Sequence, residues 1–181
     1  MNPLSYQTFH KGRRKLMKPD NFSGFILGFN SCRPKSEGTV SITSSRPGEA
    51  PSIRPNYLDH EDDRDEALAM ARLIERLMAT PALTGILADE PLTPLDKMDD
   101  DAVLADFRQR GGTVFHLCGT CRMGPDAASS VVDSRLRVHG VEGLRICDAS
   151  AFPNITSANT NAPTMMLAHR AAGMILQDGQ R

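Results

Sequence analysis

The residues best suited to catalysis lie in the C-terminal third of the chain. His116 opens the run HLCGTCRMG, whose two glycines are typical of a tight loop. A histidine held on such a loop changes its charge near neutral pH and can act as a general base. A single histidine after a strand is more often structural, so the local sequence leaves both interpretations open.

A second group of polar residues follows later elements. Asp148 ends a predicted strand, which is where open α/β sheets bind ligands, although an acid there can also simply cap a loop. Asn159 and Asn161 precede Pro163 at a predicted helix start, and either asparagine is a candidate N-cap. This helix N-terminus offers N–H groups and a positive dipole end to an anion or an electron-rich ring.

Cys118 and Cys121 form a C-x-x-C motif, which is found in redox dithiols and as half of zinc sites. The sequence has no second C-x-x-C, and His116 is too close along the chain to complete a usual tetrahedral site. We therefore expect structural cysteines and no metal. Four cysteines are also too few and too scattered for a disulfide scaffold.

Composition excludes several classes of function. The 181 residues carry a net charge of −1, which gives no electrostatic basis for binding nucleic acid or an anionic membrane. No apolar run approaches the ~18 residues of a membrane span, and the first residues do not have the pattern of a signal peptide. We expect a cytoplasmic protein without a membrane span.

The elements that must position the polar residues are strands and helices of modest length. Aromatic and β-branched residues predict a strand over 22–29, and alternation predicts a second over 39–43, which together suggest an antiparallel pair around a polar loop. Apolar residues at three and four residue spacing predict helices over 61–79 and 99–110. Short strands at 113–115 and 144–148 would then deliver His116 and Asp148, and a helix is predicted from Pro163 to Leu176.

Together these segments resemble the C-terminal part of the glucose–methanol–choline (GMC) oxidoreductases, and within them the choline dehydrogenase-like branch. The resemblance covers residues 22–181 in order. It is carried by HLCGTCRMGPD from His116, VVDSRLRVHGVEGLR from Val131, DASAFP from Asp148 and SANTNAPT from Ser157, and upstream by RPKSEGTV from Arg33 and IRPNYL from Ile53.

The resemblance implies an FAD-dependent flavoprotein that oxidises a small-molecule alcohol to the aldehyde or ketone, with hydride passing to flavin N5. By position, His116 matches the family's active-site base. Asn161 matches the second catalytic position, which hydrogen-bonds the alcohol oxygen.

The same resemblance implies a set of FAD contacts. Asp148 and Ala149 match the turn that touches the pyrophosphate and ribityl chain. Asn161, Pro163 and Thr164 match the helix start under the pyrimidine end of the isoalloxazine.

The implied fold class is α+β. An antiparallel substrate-binding domain with packed helices would span 22–112, after a loop or truncated lead-in over 1–21. Residues 113–181 would contribute the active site, a strand and a helix to an incomplete FAD-binding α/β domain.

The family's glycine-rich G-x-G-x-x-G loop is not found in this sequence. We therefore expect the chain to need an N-terminal FAD-binding part, on the same or a separate chain, and to be inactive by itself. Two alternatives stay open: a non-enzymatic remnant or binding module, and a C-x-x-C thiol or zinc protein.

Overall fold

The computed structural model describes residues 19–179, and most of the lead-in predicted for 1–21 lies outside these residues. The described part has α+β architecture, with two short strands, four α-helices and two single-turn 3-10 helices. In chain order these are β1 (Thr39–Ser41), β2 (Ser52–Arg54), α1 (Glu61–Met78), α2 (Pro81–Thr84), the 3-10 turn Leu95–Lys97, α3 (Asp100–Arg110), the 3-10 turn Ala149–Ala151 and α4 (Asn161–Asp178).

The chain divides into two compact units that do not follow one another along the sequence. The first contains Leu58–Gly112 together with the described residues up to Ser31. The second combines Cys32–Tyr57 with the segment that begins at Thr113. One break falls after Gly112, and segment 32–57 joins the C-terminal unit rather than the helices that follow it.

Helices α1 and α3 of the first unit match the sequence prediction to within one residue at each end. Asp99 caps α3, since its side chain accepts a 2.8 Å hydrogen bond from the N–H of Ala102. Arg72 connects α1 to the start of α3 through the carbonyl of Met98 (3.0 Å) and the carboxylate of Asp100 (2.7 Å). Local capping and one arginine thus fix this helical pair.

The predicted pairing of strands 22–29 and 39–43 is wrong. β1 pairs antiparallel with β2, with Val40 opposite Ile53, and 22–29 is not a strand. One of the aromatic residues that suggested a strand packs on a helix instead, because the Phe29 ring lies 5.7 Å from that of Phe107 in α3. Gly38 allows the close turn into β1, since a Cβ there would meet the Arg54 carbonyl oxygen at 2.2 Å.

The strands predicted at 113–115 and 144–148 are also wrong, because residues 113–115 form no bridge and 144–148 contain a single β-bridge, between Arg145 and Arg137. Leu136, Gly140 and Gly143 adopt positive φ values, and such turns stop the pairing after one residue. A small core of Val132, Leu136, Ala151 and Ala171 holds these turns against α4.

Helix α4 begins at Asn161, two residues before the predicted start, and its N-cap is Thr160 rather than an asparagine. Pro163 is tolerated in the first turn because the N–H that proline lacks would have no intrahelical partner there. The other end is anchored by Asp178, which forms ion pairs with Arg135 (2.8 Å) and Arg145. None of the helices in the described range is long and apolar enough to cross a membrane.

Candidate active site

His116 lies on a loop with unusual backbone geometry. The preceding residue, Phe115, has φ 62°, a left-handed conformation that is costly for a bulky residue, and Gly119 follows at φ 89°. The loop is anchored to the 3-10 turn Ala149–Ala151 by hydrogen bonds from the N–H of Cys121 to the Ser150 carbonyl (3.0 Å) and from Met123 to Ala151 (2.9 Å). Strain beside a titratable side chain is typical of a functional site.

Both ring nitrogens of His116 are hydrogen-bonded by the residues that lead into α4. Nδ1 lies 3.0 Å from Oγ1 of Thr160, which is buried, and Nε2 lies 3.0 Å from Nδ2 of Asn159, which is exposed. The loop of His116 and the start of α4 therefore meet at the imidazole.

These contacts select one form of the ring. An asparagine Nδ2 can only donate, so Nε2 of His116 accepts and carries a lone pair. The proton of the neutral imidazole is then on Nδ1, where it donates to the Thr160 hydroxyl. Nε2 of His116 thus carries no proton and accepts from the exposed Asn159.

Asn161 does not share this contact. It is the first residue of α4 and exposed, and within residues 19–179 no hydrogen bond joins its side chain to His116. Its neighbour two positions earlier, Asn159, lies beside His116. The sequence left both asparagines open as the N-cap, and the resemblance alone assigned the catalytic position to Asn161, which stays a prediction.

Asp148 and Ala149 lie in the turn that supports the loop. The Asp148 carboxylate caps the 3-10 turn, since its Oδ1 accepts from the N–H (2.8 Å) and the hydroxyl (2.5 Å) of Ser150. The acid is exposed. It is therefore both the loop cap that the sequence suggested as one alternative and an accessible carboxylate near the site.

The N-terminus of α4 has unused hydrogen-bond donors. Thr160 makes no side-chain capping bond, and the first turn contains no acidic residue. Asn161 and Ala162 are exposed, while the N–H of Thr164 is already bonded to the Thr160 carbonyl at 3.0 Å. Uncapped N–H groups at a positive dipole end favour an anionic or electron-rich group.

One ion pair and one hydrogen bond explain why segment 32–57 belongs to the C-terminal unit. Arg122 of the His116 loop pairs with Glu37 at 3.0 Å, and Nε of Arg33 donates to Oγ of Ser157 at 2.9 Å. The RPKSEG motif therefore touches both the histidine motif and the asparagine motif. An open cavity of about 480 Å³ lies along this segment, lined by Arg33, Pro34, Lys35, Glu37, Asn154 and Ile155.

The unit contains a second histidine–hydroxyl pair that sequence reasoning did not single out. Nε2 of His139 lies 3.2 Å from Oγ of Ser130 and 3.3 Å from the carbonyl oxygen of Gly124. A carbonyl only accepts, so this Nε2 carries its proton and is not available as a base. Asp126 accepts hydrogen bonds from the side chain and the backbone N–H of Ser129, and these lower its pKa.

The cysteines show no metal or disulfide chemistry in the described range. Cys32, Cys118, Cys121 and Cys147 are all free thiols, and no group of three potential ligands is close enough to hold a metal ion. Burial raises the pKa of Cys118, against the opposing charge of Arg122. Such a thiol is less nucleophilic at neutral pH than an exposed one.

Comparison with known proteins identifies the family. The sequence matches the C-terminal family model of GMC oxidoreductases over residues 34–168, which is more than half of the chain. The chain belongs to the GMC oxidoreductase family. This confirms the resemblance drawn from the histidine and asparagine motifs.

Individual relatives agree with this assignment. The chain is 42% identical over 152 residues to the oxygen-dependent choline dehydrogenase of Proteus mirabilis, covering 84% of this chain and 27% of the relative. It is 38% identical over 154 residues to the alcohol dehydrogenase (acceptor) of Pseudomonas putida, covering 85% and 28%. An FAD-dependent oxidoreductase from Chaetomium thermophilum is similar in structure, with a TM-score of 0.73 and 26% identity over 79% of this chain and 25% of that one.

The chain thus spans little more than a quarter of the length of the curated relatives that it matches.

Proposed function

We propose that this chain supplies the base and the substrate-side groups of an FAD-dependent alcohol oxidoreductase. The observation that carries the proposal is the hydrogen bonding of His116, whose Nε2 accepts from Asn159 while Nδ1 donates to Thr160. A neutral imidazole with its lone pair beside an amide donor is suited to a hydroxyl group, which needs both an acceptor for its proton and a donor for its oxygen.

The two side chains have complementary roles toward an alcohol. When the alcohol binds, its hydroxyl replaces Asn159 on Nε2 of His116 and donates to this nitrogen, which takes the proton. Nδ2 of Asn159 donates to the same oxygen and stabilises the negative charge that develops there. The Thr160 hydroxyl accepts from Nδ1–H and so fixes the orientation and the tautomer of the ring. A third group beside a catalytic base commonly has this role.

The residues present fit FAD. The uncapped N–H groups at the start of α4 suit the electron-rich pyrimidine edge of a flavin, in line with the proposed contacts of Asn161, Pro163 and Thr164. Asp148 and Ala149, in the adjoining turn, are the proposed contacts to the ribityl and pyrophosphate groups. FAD, when bound, supplies the hydride acceptor, so that proton and hydride loss together convert the alcohol to an aldehyde or ketone.

The proposal includes a requirement for a further polypeptide part. The G-x-G-x-x-G loop that cradles the FAD pyrophosphate is not found in the sequence, and the relatives are about four times as long as the matched region. We propose that the N-terminal FAD-binding part, on the same or a separate chain, completes the enzyme.

Coexpression tests the proposal. The chain would be produced with the part of the P. mirabilis choline dehydrogenase that precedes the matched region, and the purified complex examined for flavin absorbance and for dye-linked oxidation of choline, primary, aromatic and polyhydric alcohols. We expect a yellow complex that oxidises at least one of these classes. A yellow complex that oxidises none of them would favour the non-enzymatic binding module instead.

A further inference from the structure

The cavity beside the RPKSEG segment (33–38) has no role in the chemistry assigned so far. It measures about 480 Å³, which lies within the range of small-molecule sites, and its lining belongs entirely to the C-terminal unit. One wall is the RPKSEG segment. The other wall is Asn154 with Ile155, in the stretch that leads toward Asn159. The cavity is therefore a candidate binding site that one compact unit builds by itself.

The RPKSEG wall combines charged and apolar surface. Arg33, Lys35 and Glu37 are exposed, whereas Pro34 between them is half-buried. Such alternation is expected of extended backbone, in which residues two positions apart lie on the same side. Pro34, together with the half-buried Ile155 of the opposite wall, gives the cavity an apolar part beside its charged one.

The charge of the lining is mainly positive. Arg33 and Lys35 are cations, and the one lining acid, Glu37, forms an ion pair with Arg122 at 3.0 Å. Arg33 donates from Nε to Oγ of Ser157 at 2.9 Å, and this bond uses one of the five N–H donors of its guanidinium. Two cations beside apolar surface favour an oxyanion, and the planar guanidinium matches the two oxygens of a carboxylate.

The cavity lies close along the chain to the amide beside the base. Arg33 bonds to Ser157, and Ser157 precedes Asn159 by two residues, which span at most about 7 Å of extended chain. Nδ2 of Asn159 in turn lies 3.0 Å from Nε2 of His116. A molecule with its hydroxyl at His116 and a chain of several methylene groups therefore has the length needed to enter the cavity.

We propose that this cavity binds the carboxylate of the alcohol substrate, and that the substrate class is an aliphatic hydroxy acid. The inference rests on the proposed function, because it assigns the far end of the molecule whose hydroxyl meets His116. Arg33 and Lys35 bind the carboxylate, and Pro34 and Ile155 contact the methylene chain. The carboxylate itself does not react. Its binding orients the substrate from a distance, while oxidation takes place at the hydroxyl-bearing carbon.

Ligand-observed NMR titrations of the chain, and of its coexpressed complex, test the site directly. The probe is ω-hydroxyhexanoate, and ω-hydroxyhexanamide is its neutral counterpart of the same length. We expect the acid to bind at least about tenfold more tightly than the amide, because only the acid forms charge-assisted hydrogen bonds on both sides. Equal affinities, or tighter binding of the cationic alcohol choline than of the acid, would overturn the proposal.

Two substitutions remove the positive charges one at a time. Lys35→Met keeps an unbranched apolar stem, and Arg33→Gln leaves an amide donor for Ser157. Each should weaken binding of the acid by about fivefold or more, with a smaller effect on the amide. Lys97→Met is the matched control, since Lys97 is an exposed lysine of the other unit that pairs with Glu90 at 2.9 Å. An acid affinity that falls no further in the cavity variants than in the control would contradict the proposal, and circular dichroism checks the fold of each variant.

The phosphates of FAD are a second source of oxyanions for this cavity. The FAD-loaded complex separates the two sources, because the cofactor then already occupies its own site. A carboxylate site for the substrate keeps its affinity for ω-hydroxyhexanoate in the yellow complex. Loss of that binding on FAD loading would overturn the assignment to the substrate.

The cavity site and the proposed function fail in different ways. In the FAD-loaded complex, Lys35→Met should raise KM for the acid by at least about fivefold and change kcat less, because the carboxylate is bound alike in the ground and transition states. Acid binding that depends on Lys35, in a complex that oxidises no alcohol, leaves the site standing and rejects the enzyme. Oxidation of the acid and the amide with equal kcat/KM leaves the enzyme standing and rejects the substrate class.

Discussion

Two histidines of the same compact unit, His116 and His139, show how context decides chemistry. Each lies about 3 Å from a hydroxyl, that of Thr160 or that of Ser130. The difference is the second partner, which is an amide donor for His116 and the Gly124 carbonyl for His139. A donor leaves Nε2 of His116 with a lone pair, whereas an acceptor fixes a proton on Nε2 of His139.

The comparison teaches that residue type and proximity to a hydroxyl do not make a base. His116 sits on a strained loop with its basic nitrogen beside the exposed Asn159, next to a helix start with unused donors. His139 connects two parts of its loop by contacting the Ser130 hydroxyl and the Gly124 carbonyl. We therefore expect substitutions at the first to change turnover and those at the second to change stability.

The largest expected effect is at His116. In the FAD-loaded complex, His116→Ala should lower kcat by about 10²–10⁴-fold, because the alcohol proton loses its acceptor. His139→Ala is the matched control and should keep kcat within a few-fold of the unsubstituted complex. Steady-state dye-linked alcohol oxidation measures kcat for both variants. Equal losses of kcat would contradict the distinction between a catalytic His116 and a structural His139.

The next effect concerns the amide beside the base. Asn159→Ala should lower kcat by about 10²-fold, because it removes the donor to the developing oxygen charge. Asn161→Ala is the control from the same motif and should lower kcat by a smaller factor. A larger loss at Asn161 would show that the position matched by family resemblance, and not the one in contact with His116, carries the catalytic role.

The structural histidine should show its effect in folding. His139→Ala leaves the Gly124 carbonyl without its imidazole donor, and we expect the free energy of unfolding to fall by about 1–2 kcal/mol. Urea denaturation followed by circular dichroism measures it. An unchanged denaturation midpoint would mean that the hydrogen bonds of His139 contribute nothing to the stability of the fold.

The smallest effect is the pH dependence of the anchor at the far end of α4. Hydrogen bonds from Arg135 and Arg145 lower the pKa of Asp178. Because the folded-state pKa is lowered, the stabilisation is present above the ordinary pKa of about 4 and is lost as the pH falls below it. Asp178→Asn should therefore be less stable at pH 7 than the unsubstituted chain, with the difference shrinking toward pH 3 in urea denaturation. A difference that stays constant with pH would show that the ion pairs are not its cause.

The sequence predicted some elements well and others poorly. Helices α1 and α3 follow from local periodicity and from capping residues such as Asp99, which act within a few residues. The pairing of β1 with β2, and the use of Phe29 as a partner for Phe107 rather than as part of a strand, depend on contacts between distant residues. Runs of aromatic residues give no information about which surface they will cover.

The sequence alone determined the family and predicted His116 as the candidate base, because HLCGTCRMG and NTNAPT are specific runs. Only the tertiary structure decided which asparagine lies beside His116, which ring nitrogen is basic, and that the RPKSEG segment joins the C-terminal unit. Those choices depend on where α4 begins and on hydrogen bonds between residues more than forty positions apart, such as His116 with Thr160 and Arg122 with Glu37. Local sequence supplies the side chains of the candidate site, and long-range packing determines which of them come into contact.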